Sequence, residues 1–503
     1  MKIKKNPRIL VVTPEITYLP NGMGNMSNML RAKAGGLADV SASLVAALFK
    51  QGADVHVALP HYRKMFNIDV GKLISSELRV YTALLPGTQV HLAEDRAFYY
   101  RDQVYSNYHV ESMRHALAFQ REVINNIIPL VNPDLIHCND WMTGLIPAFA
   151  RRLGIPCLFT VHNIHTHHIS LEAIEDRGID AAEFWENLYY QQQPQCYEES
   201  RSSNGVDLLT SGIFASHFIN TVSPTFLNEI VNGMHGFIPE PCRNEIRGKY
   251  HAGCAYGILN APDASFNPAT DKCLEANFTS ETLINGKNRN KLAFQHATGL
   301  IEDQNAPIFF WPSRLDPIQK GCQLLAEILY RMVSEYWPDN LQIAFVANGG
   351  YQGIFHQIVE HHGFNQRVAV CDFDDELSHL GYAASDFVLI PSLFEPCGLP
   401  QMICQYYGSL PIAHDTGGLH DTIEDIDTDA GTGNGFLFKN YDSNGLWWAI
   451  EQAMKFYRLP REERSFQQAR IMREASQRFN HDVTAKAYID IYENMLHRSL
   501  VAN

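Results

Sequence analysis

The chain has 503 residues, of which 46% are hydrophobic and 19% charged, with a net charge of −15. That length predicts two large globular domains, and the composition excludes a disordered or low-complexity chain. The acidic balance argues against nucleic acid or an anionic membrane as the main partner, because both demand a basic surface, but a few focused cations can still hold a small anion.

The N-terminus, MKIKKNPRILVVTPEI, carries basic residues and then about five apolar ones, too few for a secretory signal core. It reads as a first buried strand, and no apolar stretch approaches the roughly 20 residues that span a bilayer. Ten scattered cysteines contain no Cys-x-x-Cys pair, so reduced thiols in a cytoplasmic protein are expected, with no structural zinc site. Short β-branched runs recur at Ile9–Thr13, Asp54–Leu59, Leu135–Cys138, Cys157–Val161 and Phe218–Val222. A second series follows at Ile308–Trp311, Ile343–Ala347, Val368–Cys371, Phe387–Ile390 and Ile412–His414. These runs are apolar almost throughout, as strands buried on both faces are, and helical patterns separate them. Leu37, Val40, Leu44, Val45 and Leu48 form one such pattern, ended by Gly52.

Alternating β and α predicts parallel sheets covered by helices, and two series predict two doubly wound α/β domains. The turn-rich stretch Tyr256–Asp271 marks the join, giving domains over 1–255 and 256–481. The segment 482–503 is helical again, with Val483, Ala487, Tyr488, Ile491 and Met495 expected on one face. The Gly-, Asn- and Met-rich segment Tyr18–Lys33 reads equally as a mobile flap or a passive loop.

Five motifs sit where such folds bind ligands, beyond strand ends. Lys33-Ala-Gly35-Gly36-Leu-Ala-Asp-Val40 puts two glycines and a cation before a helix, a backbone that can approach an anion, although a Gly-Gly turn is often only a turn. Arg314 and Lys320, in Ser313–Gly321, are two cations suited to a diphosphate leaving group, or else a surface charge pair. Glu395, in Phe394–Gln401, is a carboxylate able to accept hydrogen bonds from sugar hydroxyls. Asp415-Thr416-Gly417-Gly418-Leu419 is another Gly-Gly turn, and Asp140-Trp141 pairs with Val161-His162-Asn163. The run from His162 to His168 contains four histidines, yet no nearby Cys or carboxylate pattern completes a metal site, so none is expected.

Together these motifs resemble the bacterial glycogen synthase and plant starch synthase family. The signature Lys-x-Gly-Gly-Leu-Ala-Asp-Val stands at Lys33–Val40, Ser-Arg-Leu…Gln-Lys-Gly at Ser313–Gly321, Pro-Ser-x-Phe-Glu-Pro-Cys-Gly-Leu at Pro391–Leu399, and Thr-Gly-Gly-Leu-x-Asp-Thr at Thr416–Thr422. Weaker matches are His137–Leu145, Phe159–Asn163 and Thr221–Ile230. The resemblance implies a GT-B fold, two Rossmann-like domains facing across a cleft, with the last helix packing back on the first domain. It implies retaining transfer of glucose from a nucleoside-diphosphate glucose, usually ADP-glucose, to an α-1,4-glucan, with no cofactor and no metal. By position, Lys33, Gly35, Gly36, Arg314 and Lys320 surround the diphosphate, and Glu395, Asp140 and His162 face the sugar. Cys397, Gly398, Leu399, Thr416, Gly417 and Gly418 contact the donor, and Phe373 lies near the base or packs in the core.

The chain departs from the family pattern in four places. The interval from Arg314 to Lys320 is one residue longer, Pro400 replaces a Thr, Asn260-Ala-Pro-Asp263 replaces Asn-Gly-x-Asp, and the Tyr18–Lys33 segment is inserted. UDP- or GDP-glucose as donor, and a non-catalytic glucan-binding role, are the alternatives. A phosphorylase would need a pyridoxal-phosphate lysine segment, and none is evident.

Overall fold

The computed structural model describes residues 6–23, 30–66, 89–106 and 108–501. Its backbone contacts divide the chain into two units, Met1–Ile258 with His481–Asn503, and Leu259–Asn480.

The first unit is built on a seven-stranded parallel sheet. In chain order its strands are β1 (Arg8–Val12), β2 (Asp54–Pro60), β3 (Val90–Ala93), β4 (Leu135–Asn139), β5 (Cys157–Val161), β8 (Phe218–Thr221) and β9 (Ala255–Gly257), in spatial order β3-β2-β1-β4-β5-β8-β9. A small antiparallel pair, β6 (His168–Ile169) and β7 (Val206–Asp207), stands apart from it. Ile9 through Val12 are fully buried, as is all of β5, which is why these strands read as unbroken apolar runs. The register Ile9↔Val55 and Ile9↔Leu135 puts β1 between β2 and β4, so the chain reverses its direction of travel across the sheet at β1/β4.

The second unit repeats the plan with β10 (Ile308–Trp311), β11 (Gln342–Val346), β12 (Val368–Cys371), β13 (Phe387–Ile390), β14 (Leu410–His414) and β15 (Phe436–Phe438). Their spatial order, β12-β11-β10-β13-β14-β15, is the 3-2-1-4-5-6 winding of a dinucleotide-binding sheet. The switch point here is β10/β13, where Phe309 pairs with Phe387.

The last helix, His481–Leu496, belongs to the first unit and is anchored by a buried polar chain. The Tyr492 hydroxyl meets His137 Nδ1 at 2.7 Å, and His137 Nε2 meets Thr160 Oγ1 at 2.6 Å. Thr160 Oγ1 donates to Asn220 Oδ1 at 2.6 Å, and Asn220 donates to the Tyr488 hydroxyl at 3.0 Å. Burial lowers the His137 pKa to about 3, so this imidazole is neutral. The buried face of the helix is Thr484, Ala485, Tyr488, Ile491 and Tyr492. Of the expected face, Ala487, Tyr488, Ile491 and Met495 pack against the core, whereas Val483, in the first turn, is 52% exposed.

The Tyr18–Lys33 segment is pinned at its described ends. Ile16 and Ala32 exchange both backbone hydrogen bonds, and Leu19, Met23 and Leu30 are buried. The rest of this segment, read equally as a flap or a passive loop, is residues 24–29, which lie outside the described residues. No helix among the described residues is long and apolar enough to cross a membrane.

Candidate active site

In both units the acidic and basic residues singled out above follow the C-terminal ends of strands at the switch point or next to it, where open α/β sheets bind ligands.

In the second unit, the loop after β10 carries Arg314 and Lys320. Asp316 closes this loop on itself. Asp316 Oδ1 accepts the N–H groups of Ile318 (2.8 Å) and Gln319 (2.9 Å), and Ile318 bulges outward, 74% exposed. Gly321 then turns the chain into the helix Cys322–Glu335 with φ +71°, and a Cβ there would lie 1.9 Å from the Pro391 carbonyl oxygen. That close approach seats Lys320 against the loop after β13. Its ammonium lies 2.5 Å from Glu395 Oε2, and the two side chains are only 13% and 9% exposed. Ser392 Oγ donates to the same carboxylate oxygen at 3.1 Å, and the Glu395 carbonyl accepts the Gly418 N–H at 2.9 Å. The last contact requires glycine, since a Cβ on Gly418 would stand 2.0 Å from the Cys397 carbonyl oxygen. Thus Lys320, Glu395, Cys397 and Gly418 come together, with Thr416 preceding the short helix Gly417–Thr422. Arg314 is exposed and makes no ion pair among the described residues, though its charge helps hold the Asp316 carboxyl below the usual range, behind the hydrogen bonds from Gln319 and Ile318.

Cys397 is buried, and its thiol is pushed up to about 12 by burial, so it is neutral and not a nucleophile. Gly398 and Leu399 lead into the helix Pro400–Tyr406, where Pro400 occupies the first position, whose N–H would have no intrahelical partner in any case. The next side chain bridges the turn, with Gln401 Nε2 donating to the carbonyls of Cys397 (2.9 Å) and Gly398 (3.0 Å) and to Thr422 Oγ1 (3.1 Å). Phe373 is 53% exposed beyond β12, its N–H held by Asn348 Oδ1 at 3.0 Å, so core packing is not its role.

In the first unit, Asp140 follows β4 in a conformation rare for a non-glycine residue, φ +56°. Its Oδ1 accepts the backbone N–H of His162 at 2.7 Å, tying the ends of β4 and β5. Burial raises the Asp140 pKa to about 7 against those hydrogen bonds, whereas burial lowers His162 to about 3. His162 Nε2 lies 2.9 Å from Asn139 Oδ1. The other histidines of that run are dispersed: His167 packs edge-on to Trp141, and His168 faces Asp207 at 3.6 Å. Elsewhere Asp271, Cys273 and His379 lie close enough for a metal, but the Asp271 carboxylate already accepts His379 Nδ1, the Tyr407 hydroxyl and the Cys273 N–H.

The glycine turn at Lys33–Gly36 holds a residue that the motif alone did not reveal. Glu15, just after β1, is buried, and its Oε2 accepts the N–H groups of Ala34 (2.6 Å) and Gly35 (3.0 Å). Its Oε1 accepts the Tyr105 hydroxyl at 3.0 Å. Burial raises the Glu15 pKa, opposed by these three hydrogen bonds. Lys33 is itself paired, 3.0 Å from Asp39 Oδ2 in the first turn of the helix Gly36–Lys50. The signal for Glu15 was present, a carboxylate directly after a strand, the same that marks Asp140 and Glu395. Nothing in the sequence around Tyr105 marks it.

Comparison with known proteins agrees with this geometry. A family model described as the starch synthase catalytic domain matches residues 8–240, and one for group 1 glycosyl transferases matches 306–455. The chain is 33% identical over 454 residues to a glycogen synthase of Clostridium beijerinckii, covering 85% of this chain and 89% of that protein. It is 29% identical over 493 residues to a glycogen synthase of Bacillus cereus, covering 92% and 97%. The structure of the catalytic domain of starch synthase IV from Arabidopsis thaliana, bound to ADP and acarbose, superposes with a TM-score of 0.77 at 27% identity, covering 98% of this chain and all of that one. With two such sheets and these relatives, the chain has the GT-B fold and belongs to the glycogen/starch synthase family of glycosyltransferases.

Proposed function

We propose that the chain transfers glucose, with retention, from ADP-glucose to the non-reducing end of an α-1,4-glucan. The observation that carries the proposal is the cluster at the β10/β13 switch point, where Lys320 and Glu395 are in contact and Arg314 stands on the same loop as Lys320. An adenine nucleotide is favoured because the starch synthase IV relative was solved with ADP.

The leaving group is a nucleoside diphosphate, and negative charge grows on its distal phosphate as the glycosidic bond breaks. Arg314 and Lys320 offset that charge, as preorganised cations do, and no metal is required. Glu395 accepts hydroxyl hydrogen bonds of the donor glucose, which orients the anomeric carbon. Asp140 and His162 are assigned to the sugar, with Lys33, Gly35 and Gly36 on the phosphate side and Phe373 on the base. Neutral His162, whose Nε2–H donates to Asn139 Oδ1, can accept from a sugar hydroxyl at Nδ1. In front-face attack the acceptor hydroxyl approaches on the side the diphosphate leaves, and the departing phosphate oxygen takes its proton. The test is a donor panel of ADP-, UDP- and GDP-glucose with glycogen as acceptor. Transfer from ADP-glucose well above the other two is expected; a preference for UDP- or GDP-glucose overturns the donor, and no transfer from any donor overturns catalysis.

A further inference from the structure

The second unit carries a groove at the far end of its sheet from Glu395. It opens beside Phe436, the first residue of edge strand β15, whereas the residues discussed above follow the C-terminal strand ends. The groove encloses about 380 Å³. Its floor is apolar, with Phe436 and Phe456 buried and Leu459 half-buried. One wall is a face of the helix Ser443–Tyr457, where Trp448, Gln452 and Lys455 follow at helical spacing, and the other wall is Asp425 and Thr428. Trp448 is 47% exposed. The groove plays no part in the chemistry proposed above.

We propose that this groove is a second, non-catalytic binding site for an α-glucan chain, a proposal that rests on the glucan being this protein's acceptor. A glucose ring presents an apolar C–H face and a rim of hydroxyls. An exposed indole over an apolar floor matches the face, and the polar side chains of Asp425, Thr428, Gln452 and Lys455 around it match the rim. Gln452 donates to the Trp448 carbonyl at 3.5 Å and accepts from Lys455 at 3.3 Å, while Asp425 Oδ1 accepts only the Leu437 N–H at 2.8 Å among the described residues. Both signs of charge occur on the walls, which suits a neutral polyol better than an anion. A protein partner would need about 800 Å² of surface, far more than this concave slot offers. A branched glucan held here keeps its other chain ends at high local concentration, so anchoring lowers the apparent KM for polymer without touching kcat.

The test uses the full-length protein with Trp448→Ala and Gln452→Ala, by electrophoresis in gels containing glycogen and by initial rates with glycogen and with maltotriose. Wild type is expected to be retarded by glycogen. Trp448→Ala should lose most of that retardation and raise the glycogen KM by about tenfold, with kcat and the maltotriose rate unchanged. Gln452→Ala, which leaves the indole in place, should give a smaller loss in the same direction. Retardation and glycogen KM that stay at wild-type values in both variants overturn the proposal. So does a Trp448→Ala protein whose sedimentation changes while its glycogen binding does not, which marks a self-association surface. If wild type transfers glucose to neither acceptor yet Trp448→Ala still abolishes retardation, the groove stands and the catalytic proposal fails.

Discussion

The Lys320 ammonium and the Glu395 carboxylate lie 2.5 Å apart, each side chain nearly buried, in two loops joined at the β10/β13 switch point. Each charge is therefore the other's main compensation. This couples the site's chemistry to its stability, which the sequence, read as two independent site residues, did not suggest.

Lys320→Ala should lower kcat by roughly 10²–10³, the scale for losing one preorganised charge stabiliser. It should also cost about 3 kcal/mol of stability, because Glu395 is left buried without its cation. Urea unfolding followed beside initial rates checks both. Wild-type stability with lost turnover would mean that the carboxylate finds water or another partner, and wild-type turnover would remove Lys320 from the reaction.

Arg314→Ala separates the two effects. The guanidinium is exposed and makes no ion pair among the described residues, so stability should change by no more than about 0.5 kcal/mol. Turnover should still fall by roughly 10²-fold, by loss of charge stabilisation alone.

The described strands show what was legible. Cys157–Val161, Ile308–Trp311, Val368–Cys371 and Phe387–Ile390 read correctly to the residue, because strands buried on both faces announce themselves as apolar runs. Of the strands not read, Val90–Ala93, Ala255–Gly257 and Phe436–Phe438 lie at sheet edges and His168–Ile169 and Val206–Asp207 form a separate pair, and all five are too short for an apolar run to stand out. The last helix was legible as a helix and in most of its buried face, but not the exposure of Val483 or the tyrosine hydroxyls reaching His137 and Asn220 from far along the chain. Glu15 was marked by its place after a strand, but its contact with the glycine turn, and the pairing of Lys33 with Asp39, were not legible, since both depend on how the chain folds between β1 and the helix Gly36–Lys50.

That buried chain has a pH signature. His137 is held neutral, its pKa lowered from 6.5 to about 3, so the unfolded chain binds a proton that the folded chain refuses across that window. Stability is complete above pH 6.5 and is lost as pH falls toward 3. His137→Gln should be less stable at pH 7, through imperfect replacement of two hydrogen bonds, yet should lose less on acidification. Denaturant titrations at pH 7 and pH 5 measure the difference. An equal loss in both proteins would show that other groups dominate the acid response.

Asp140 has the opposite sign. Its pKa is raised from 3.8 to about 7, so the folded state gives up stability as pH rises across that range. Asp140→Asn removes the titration and should gain stability relative to wild type between pH 4 and pH 7. A stability difference that does not vary with pH would mean that the carboxylate ionises normally in the folded protein.

On the proposed mechanism, charge neutralisation by Lys320 and Arg314 should make transfer independent of divalent cations. Initial rates after exhaustive EDTA treatment should match untreated enzyme. Activity lost on chelation and restored by Mg²⁺ or Mn²⁺ would require a metal on the diphosphate.

The central claim is retaining transfer of glucose from ADP-glucose to the non-reducing end of an α-1,4-glucan. The most direct measurement supplies ADP-[14C]glucose and glycogen, then digests the product with β-amylase, which removes maltose from non-reducing α-1,4-linked ends. Label released as maltose is the predicted result. No incorporation, or label that β-amylase leaves in the polymer, would contradict it.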